Sequence, residues 1–191
     1  DHHGLSAFLV ESGSEGLHVE RRSFVDSRNT GTLLLRDVRV PESHCLGTPG
    51  EAWDGLERAL DVINIGLSAA LLGLATEAFE RTVAYLQERK QFGRVIGSFQ
   101  GLQHRAAVLF AELELARSVV LDGLRAVDAG EDLRLCASAA KAKLCQVAEL
   151  ATNEGIQMHG GIGMTDEHEI GFFIKRARVL PPYAESGDLR I

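Results

Sequence analysis

Apolar and polar residues follow two different spacings along the chain, and the change falls near residue 47. Before it, short apolar runs and alternating positions are typical of β-strands. They predict three strands, at residues 5–11, 17–24 and 31–40. Three strands of this kind cannot bury a face unaided, so we expect them to belong to a larger β domain.

Helical spacing begins after Gly47-Thr48-Pro49-Gly50 and continues almost to the end of the chain. Apolar residues then step by three and four, most regularly between Leu102 and Leu124. Gly97-Ser98 is expected to provide a hinge and an N-cap for the second helix. The pattern predicts four helices: Trp53 to Arg89, Phe99 to Gly130, Asp132 to His159, and a fourth from a cap at Thr165 or Asp166 to Val179.

Small residues on the apolar faces of these helices indicate close packing. Gly66 and Gly73 lie inside the apolar stripe of the first helix, and the third helix is rich in alanine. We expect a mainly α fold, an antiparallel up-down four-helix bundle preceded by a partial antiparallel β domain. The predicted domains are residues 1–47, the C-terminal part of a β-barrel-like domain, and residues 48–191, the bundle. The faces of the second and third helices are predicted to form a dimer or tetramer.

Charge and composition argue against several classes of protein. The formal net charge is −7, so nucleic acid is not an expected partner. No uncharged apolar stretch reaches the roughly 18 residues that a membrane span needs, and the nearest is Val62 to Ala75. Three cysteines without paired spacing indicate a reducing compartment, and we expect the cytoplasm. No CxxC or HxxxH occurs, so no metal site is expected.

Residues 85–104 combine a helix end, a tight turn and the start of the next helix. Arg89, Lys90 and Arg94 concentrate positive charge at this corner of an acidic chain. A guanidinium beside a helix start is a good anion site, because its fork matches phosphate oxygens and the helix end adds free N–H groups. A solvated turn between two helices is the alternative interpretation.

Two segments resemble sequence signatures of one family. Arg89-Lys90-Gln91-Phe92-Gly93, followed by Phe99-Gln100, resembles the arginine-x-x-phenylalanine-glycine and phenylalanine-glutamine signature of the acyl-CoA dehydrogenases. Gln157-Met158-His159-Gly160-Gly161-Ile162-Gly163 resembles that family's glutamine-x-x-glycine-glycine-x-glycine segment. The order and spacing of the two motifs make the resemblance specific. It extends over nearly the whole chain, and residues 5–47 resemble the second half of the family's middle β domain. The family's N-terminal helical domain has no counterpart here, so we expect a fragment, a proteolysed chain or a degenerate paralogue.

The resemblance implies an FAD-dependent enzyme that oxidises an acyl-CoA thioester to its 2,3-enoyl form and passes electrons to an electron-transfer flavoprotein. In this family the helical domain of one subunit supplies half of a flavin site to its neighbour. Arg89 would pair with the FAD pyrophosphate, Phe92 would pack beside it, and glycine backbone would approach the cofactor where a side chain would block it. A helix C-cap is the alternative role for Gly160-Gly161. The motifs place at the cofactor Arg89, Gln91, Phe92, Gln100, Gln157, Gly160 and Gly161.

The family's catalytic base is out of register in this chain. Most members carry it in a tyrosine-glutamate-glycine segment, whereas this chain has Ala184 after Tyr183 and Glu185 one residue late. Another branch keeps the glutamate on the first bundle helix, where this chain has Ile63 followed by Asn64. Glu185 is therefore the candidate base, with a solvated loop residue as the alternative. The acidic cluster at residues 166–169 is interpreted as the exposed first turn of the fourth helix.

Two functions remain open from the sequence. One is the FAD-dependent dehydrogenase itself. The other is a non-catalytic partner subunit, or a fragment, that supplies flavin contacts and bundle surface to a competent homologue. The two retained motifs favour flavin contact in either case, whereas the loss of both glutamate positions favours the partner subunit.

Overall fold

The computed structural model describes residues 4–23 and 30–180 of the chain. The chain divides between Glu57 and Arg58 into two compact units. The limit expected from the sequence, between residues 47 and 48, stays a prediction.

Two antiparallel strand pairs make up the sheet structure of the first unit. Strand β2 (Leu17–Arg22) pairs with β3 (Thr30–Leu35), in the register that sets Leu17 opposite Leu35. Strand β1 (Ala7–Phe8) pairs with β4 (Cys45–Leu46). The predicted first and third strands were too long. The third ends at Leu35 because Asp37 adopts a φ of 51°, which turns the chain out of the extended conformation.

Four α-helices are the main elements after the first unit's strands: α1 (Trp53–Glu88), α2 (Gln100–Ala129), α3 (Arg134–His159) and α4 (Ile170–Val179). One apolar core is shared by all four, with Leu71 from α1, Leu113 from α2, Leu144 from α3 and Ala177 from α4. The mainly α, four-helix fold predicted from the sequence is therefore confirmed. The fourth helix is much shorter than the other three and begins after the predicted cap at Thr165 or Asp166.

Charged pairs join α2 to α3 outside this core. Arg105 donates two hydrogen bonds to the carboxylate of Glu154, at 2.6 and 2.9 Å. Lys143 pairs with Glu112 across the same two helices. These contacts link α2 to α3 at the edge of the core, and the Arg105 pair is bidentate.

Helix α2 begins next to the predicted Phe99, but the N-cap predicted at Ser98 is not formed. Residues Ile96–Ser98 form a short 3₁₀ helix, and α2 begins only at Gln100. The Ser98 hydroxyl donates to the carbonyl of Val95 at 2.6 Å and does not cap α2. Gly97 leaves no room for a side chain, because a Cβ at this residue would lie 2.7 Å from the Leu86 carbonyl oxygen. Its role is close packing against the end of α1.

The start of α4 was also predicted wrongly. Residues Gly160–Met164 form a 3₁₀ segment, and the Thr165 hydroxyl donates back to the carbonyl of Ile162 at 2.8 Å. Helix α4 begins five residues later, at Ile170, and the side chain of its N-cap residue, Glu169, makes no capping hydrogen bond. Thr165 thus closes the preceding turn, and neither it nor Asp166 caps the helix.

The predicted packing of the apolar faces needs two corrections. Gly66 and Gly73 are exposed, and a Cβ at either residue would meet nothing within 4 Å. The α2 positions Leu109, Leu113 and Val120 are buried within the chain's own core, so this stripe is not available for assembly. The apolar residues that α2 does expose are Val108, Phe110, Leu115, Leu121 and Leu124.

By length and composition alone, α1 could cross a membrane, since it has 36 residues and a stretch of mean hydropathy 1.7. This finding departs from the sequence expectation, which required an uncharged stretch. A single helix of this kind is weak evidence for a membrane, because a core helix has the same composition. Ile65, Leu71 and Ala75 of α1 are completely buried in the bundle.

Candidate functional site

A β-hairpin connects α1 to α2 and carries the first motif. Strand β5 (Lys90–Gln91) pairs with β6 (Arg94–Val95), so only Phe92 and Gly93 form the turn. Both have positive φ angles, 55° and 77°. A two-residue turn with both residues in the left-handed region is of type I′, which suits the twist of a hairpin. The turn therefore projects from the end of the bundle with a phenylalanine at its tip.

The side chain of Phe92 is 90% exposed, an unusual position for a large apolar residue. Its ring meets the ring of Phe99 edge to face, with centroids 6.2 Å apart. The Arg94 guanidinium carbon lies 4.0 Å from the centroid of Phe99, in a cation–π contact. The hairpin thus presents an aromatic edge and a positive charge to solvent, a combination that suits an anionic ligand with a flat aromatic part.

The other residues predicted from the first motif lie around this hairpin. Arg89, Gln91 and Gln100 are all exposed. The Arg89 carbonyl accepts a hydrogen bond from the Ile96 N–H at 2.8 Å, which closes the base of the hairpin. The Gln91 side-chain amide donates to the Lys90 carbonyl at 2.8 Å. Backbone contacts therefore fix the positions from which these side chains extend.

The second motif follows the end of α3. Gln157 is exposed, and its carbonyl accepts the N–H of Gly160. Gly160 has a φ of 67°, a conformation that favours glycine at the end of a helix. A Cβ at Gly160 or Gly161 would meet nothing within 4 Å, so the backbone faces open space. The segment serves as a helix end and also leaves room for a ligand to approach its backbone.

The structure brings the ends of α1 and α3 together. The Tyr85 ring, one turn before Arg89, stacks on the His159 ring with centroids 4.3 Å apart. His168 lies against the same pair, 4.5 Å from His159. Sequence reasoning assigned no role to these three rings, although two of them lie inside the motif segments. Burial lowers the pKa of His159, the Gly155 carbonyl acts in the opposite direction, and the charge of His168 lowers it further.

The base position on α1 contains no carboxylate. Ile63 is 49% exposed, and the Asn64 side-chain oxygen accepts a hydrogen bond from the Lys141 ammonium at 3.2 Å. Glu185, the candidate base after α4, lies outside the described residues. The acidic cluster does not form the first turn of α4 as predicted, because Asp166 and Glu169 both precede the helix. Asp166 pairs with Lys175 at 3.5 Å, and Glu169 pairs with Arg81 of α1.

Side chains of the types that bind metal ions occur in the part of the chain that the structure describes. No group of three or more histidine, cysteine, aspartate or glutamate residues there could hold a metal ion.

The family model for the acyl-CoA dehydrogenase C-terminal domain matches residues 52–187, more than half of the chain. The chain belongs to the acyl-CoA dehydrogenase family. It is 32% identical to the bovine mitochondrial short/branched chain specific acyl-CoA dehydrogenase, a match that covers 98% of this chain and 44% of that relative. The chain thus spans about half the length of the curated relatives it matches.

Solved structures of similar proteins share this architecture. Butyryl-CoA dehydrogenase from Megasphaera elsdenii superposes with a TM-score of 0.91 at 28% identity, covering 96% of this chain and 49% of that one. PigA, solved with FAD and proline, gives a TM-score of 0.91 at 25% identity, covering 98% of this chain and 50% of that one. The acyl-CoA dehydrogenase fold therefore extends through both units of the chain.

Proposed function

We propose that the protein carrying this chain is an FAD-dependent acyl-CoA dehydrogenase that converts an acyl-CoA thioester to its 2,3-enoyl form. The observation that carries this proposal is the exposed hairpin at residues 90–95. It presents the family's arginine-x-x-phenylalanine-glycine motif to solvent at the end of the bundle. Family membership and the Megasphaera elsdenii structure support the acyl-CoA substrate class.

The described residues fit FAD in two respects. Arg89 and Phe92 are exposed at the hairpin, where a guanidinium pairs with a pyrophosphate and a phenyl ring packs on an aromatic system. Gly160 and Gly161 leave open space beside their backbone, which admits a close approach. Gln91, Gln100 and Gln157 are exposed at the same two segments and complete the proposed cofactor contacts. FAD, when bound, supplies the hydride acceptor of the reaction.

Proton removal from the α carbon requires a carboxylate in the family's chemistry. We assign this role to Glu185, the carboxylate nearest the family's position in sequence. A positioned general base contributes about 10²–10⁴-fold in rate. Since Glu185 is one residue out of register, we expect slow or absent turnover when the chain assembles only with copies of itself.

A second function is favoured by Ile63 and Asn64. Neither can accept a proton, and Asn64 is engaged by Lys141. The alternative is a non-catalytic subunit that supplies flavin contacts and bundle surface to a homologue with an intact base.

A dye-reduction assay over a panel of acyl-CoA thioesters distinguishes these functions. The full-length homo-oligomer is compared with Glu185→Gln and with Glu167→Gln, an exposed carboxylate that serves as the matched control. Turnover lost only in Glu185→Gln identifies the base and the enzyme. If the chain is inactive alone but its mixture with a competent homologue shows more turnover than the homologue alone, the chain is the partner subunit. A full-length protein that binds no FAD, alone or with that homologue, contradicts both functions.

The assembly and cellular context are further parts of the proposal. We expect a homo- or hetero-oligomer, a dimer or tetramer, formed through the outward apolar residues of α2, such as Phe110 and Leu115. Electron-transfer flavoprotein is the expected electron acceptor, on family membership. The cytoplasm is the expected compartment, because the three cysteines of the sequence have no paired spacing.

A further inference from the structure

Tyr85, His159 and His168 form a cluster of three rings at one end of the bundle, here called the ring cluster. The rings of Tyr85 and His159 are stacked, with an interplanar angle of 24°. The ring of His168 lies 4.5 Å from His159 and meets Tyr85 edge to face at 6.0 Å. Tyr85 belongs to α1, His159 to α3, and His168 to the segment before α4. The ring cluster therefore joins three elements.

A hydrogen bond fixes the tautomer of His159. Its Nδ1 lies 2.6 Å from the carbonyl oxygen of Gly155. A carbonyl only accepts, so Nδ1 carries the hydrogen and Nε2 of the neutral ring is an acceptor. His159 is only 4% exposed, and its Nε2 has no hydrogen-bond partner among the described residues. Protonation would place a second N–H and a charge in a buried position that offers no acceptor.

His168 is held in the complementary form. Its Nδ1 accepts the backbone N–H of Ile170 at 3.2 Å, so the neutral ring carries its hydrogen on Nε2. A charge on either imidazole disfavours a charge on the other at this separation. The neutral state of His159 is thus the one that the geometry accommodates.

Two charged residues near the ring cluster, Arg81 and Lys175, are already paired with carboxylates. Arg81, one turn before Tyr85 on α1, pairs with Glu77 of the same helix and with Glu169 before α4. Lys175 of α4 pairs with Asp166. These exposed pairs hold the segment before α4 in place but offer no carboxylate to the unpartnered Nε2 of His159.

We propose that the ring cluster is a proton-operated latch: with His159 neutral it holds residues 160–169 against the end of α1, and protonation of His159 releases them. The latch rests on the geometry of these three rings and requires neither FAD nor enzymatic activity.

The direction of the pH effect follows from the buried state of His159. Its pKa lies below the ordinary value of 6.5, so the released form binds more protons in the interval between the two values. The latched form is fully favoured above that ordinary value and loses stability as the pH falls toward the lowered pKa. A single proton changes the ratio of latched to released forms by about tenfold per pH unit in this interval.

Amide hydrogen exchange of the full-length protein in its native assembly tests the latch. Exchange is measured at about pH 7.5 and 5.5 and corrected for the intrinsic effect of pH on exchange. We expect the amides of residues 161–170 to lose more than about twofold in protection in the wild-type protein. His159→Asn keeps a donor for the Gly155 carbonyl but does not titrate, so its protection should change less than about twofold.

Two further variants sharpen this result. His168→Asn keeps an acceptor for the Ile170 N–H and should reduce the pH response. His104→Asn, at an exposed position on α2, should leave the wild-type response intact. The latch is refuted if wild-type protection is independent of pH, or if His159→Asn loses as much protection as the wild type. Should His159→Asn fail to fold, NMR titration of the wild-type His159 ring decides, because a midpoint at or above the ordinary value overturns the proposal.

Discussion

Replacing Phe92 with asparagine separates the folding role of the hairpin turn from its role in binding. Phe92 holds a φ of 55° and is 90% exposed, so it gains little from burial within the chain. Asparagine adopts the left-handed region more readily and, followed by glycine, is a preferred pair for a type I′ turn. The strain relieved is about 1 kcal/mol, and the lost edge contact with Phe99 costs about 0.5–1.5 kcal/mol. The free energy of unfolding of the apo-protein should therefore change by less than about 1 kcal/mol.

Binding of FAD should respond much more strongly to the same change. Burial of a phenylalanine side chain contributes about 1.5–3 kcal/mol, and asparagine supplies little of it. The Kd for FAD should rise by roughly 10- to 150-fold. Titration of the full-length apo-protein, followed by flavin fluorescence, measures this change, and denaturant unfolding of the same preparation measures stability.

Phe172→Asn is the matched control for this experiment. Phe172 is 61% exposed on α4, away from both motifs in sequence, and its side chain lies near Lys175. FAD affinity should be unchanged in this variant. A loss of more than about 2 kcal/mol of stability in Phe92→Asn, with wild-type affinity for FAD, would show that Phe92 serves the hairpin alone.

Two other predictions concern the cofactor and the assembly. Arg89→Ala should weaken FAD binding by about tenfold or more, since a charge-assisted hydrogen bond contributes roughly 1.5–3 kcal/mol. Arg117→Ala removes a surface pair with Glu114 and should leave FAD binding unchanged. Equal affinity in the two variants would make Arg89 an ordinary surface charge. Leu115→Glu places a charge on the outward face of α2. The mass measured by light scattering should fall in this variant without loss of helix content. A wild-type protein that is monomeric at micromolar concentration would contradict the proposed assembly.

The long helices were predictable because their apolar residues repeat over many turns. Gly130 ends α2 in the left-handed conformation, as its position after the last apolar step indicated. The helix starts were less predictable, because Ser98 and Thr165 have two choices for their hydroxyls. Both donate to a carbonyl three residues earlier, which builds a preceding turn in place of a cap.

The motif residues could be found from sequence, but their surroundings could not. The signature identified Phe92 without indicating that it lies at the tip of a type I′ turn. The contact between Tyr85 and His159 joins residues far apart in sequence, and no periodicity predicts such a pair. Only the packing of α1 on α3 brings these rings together.

The short links between successive helices have a consequence for how the second unit forms. Residues 130–133 alone join α2 to α3, and the hairpin at residues 90–95 reverses the chain between α1 and α2. Little loop-closure entropy is lost when such neighbours meet, and chains dominated by local contacts fold quickly. The bundle should therefore form soon after its sequence leaves the ribosome. Association of the subunits, which depends on concentration, would then limit the rate at which the proposed oligomer forms.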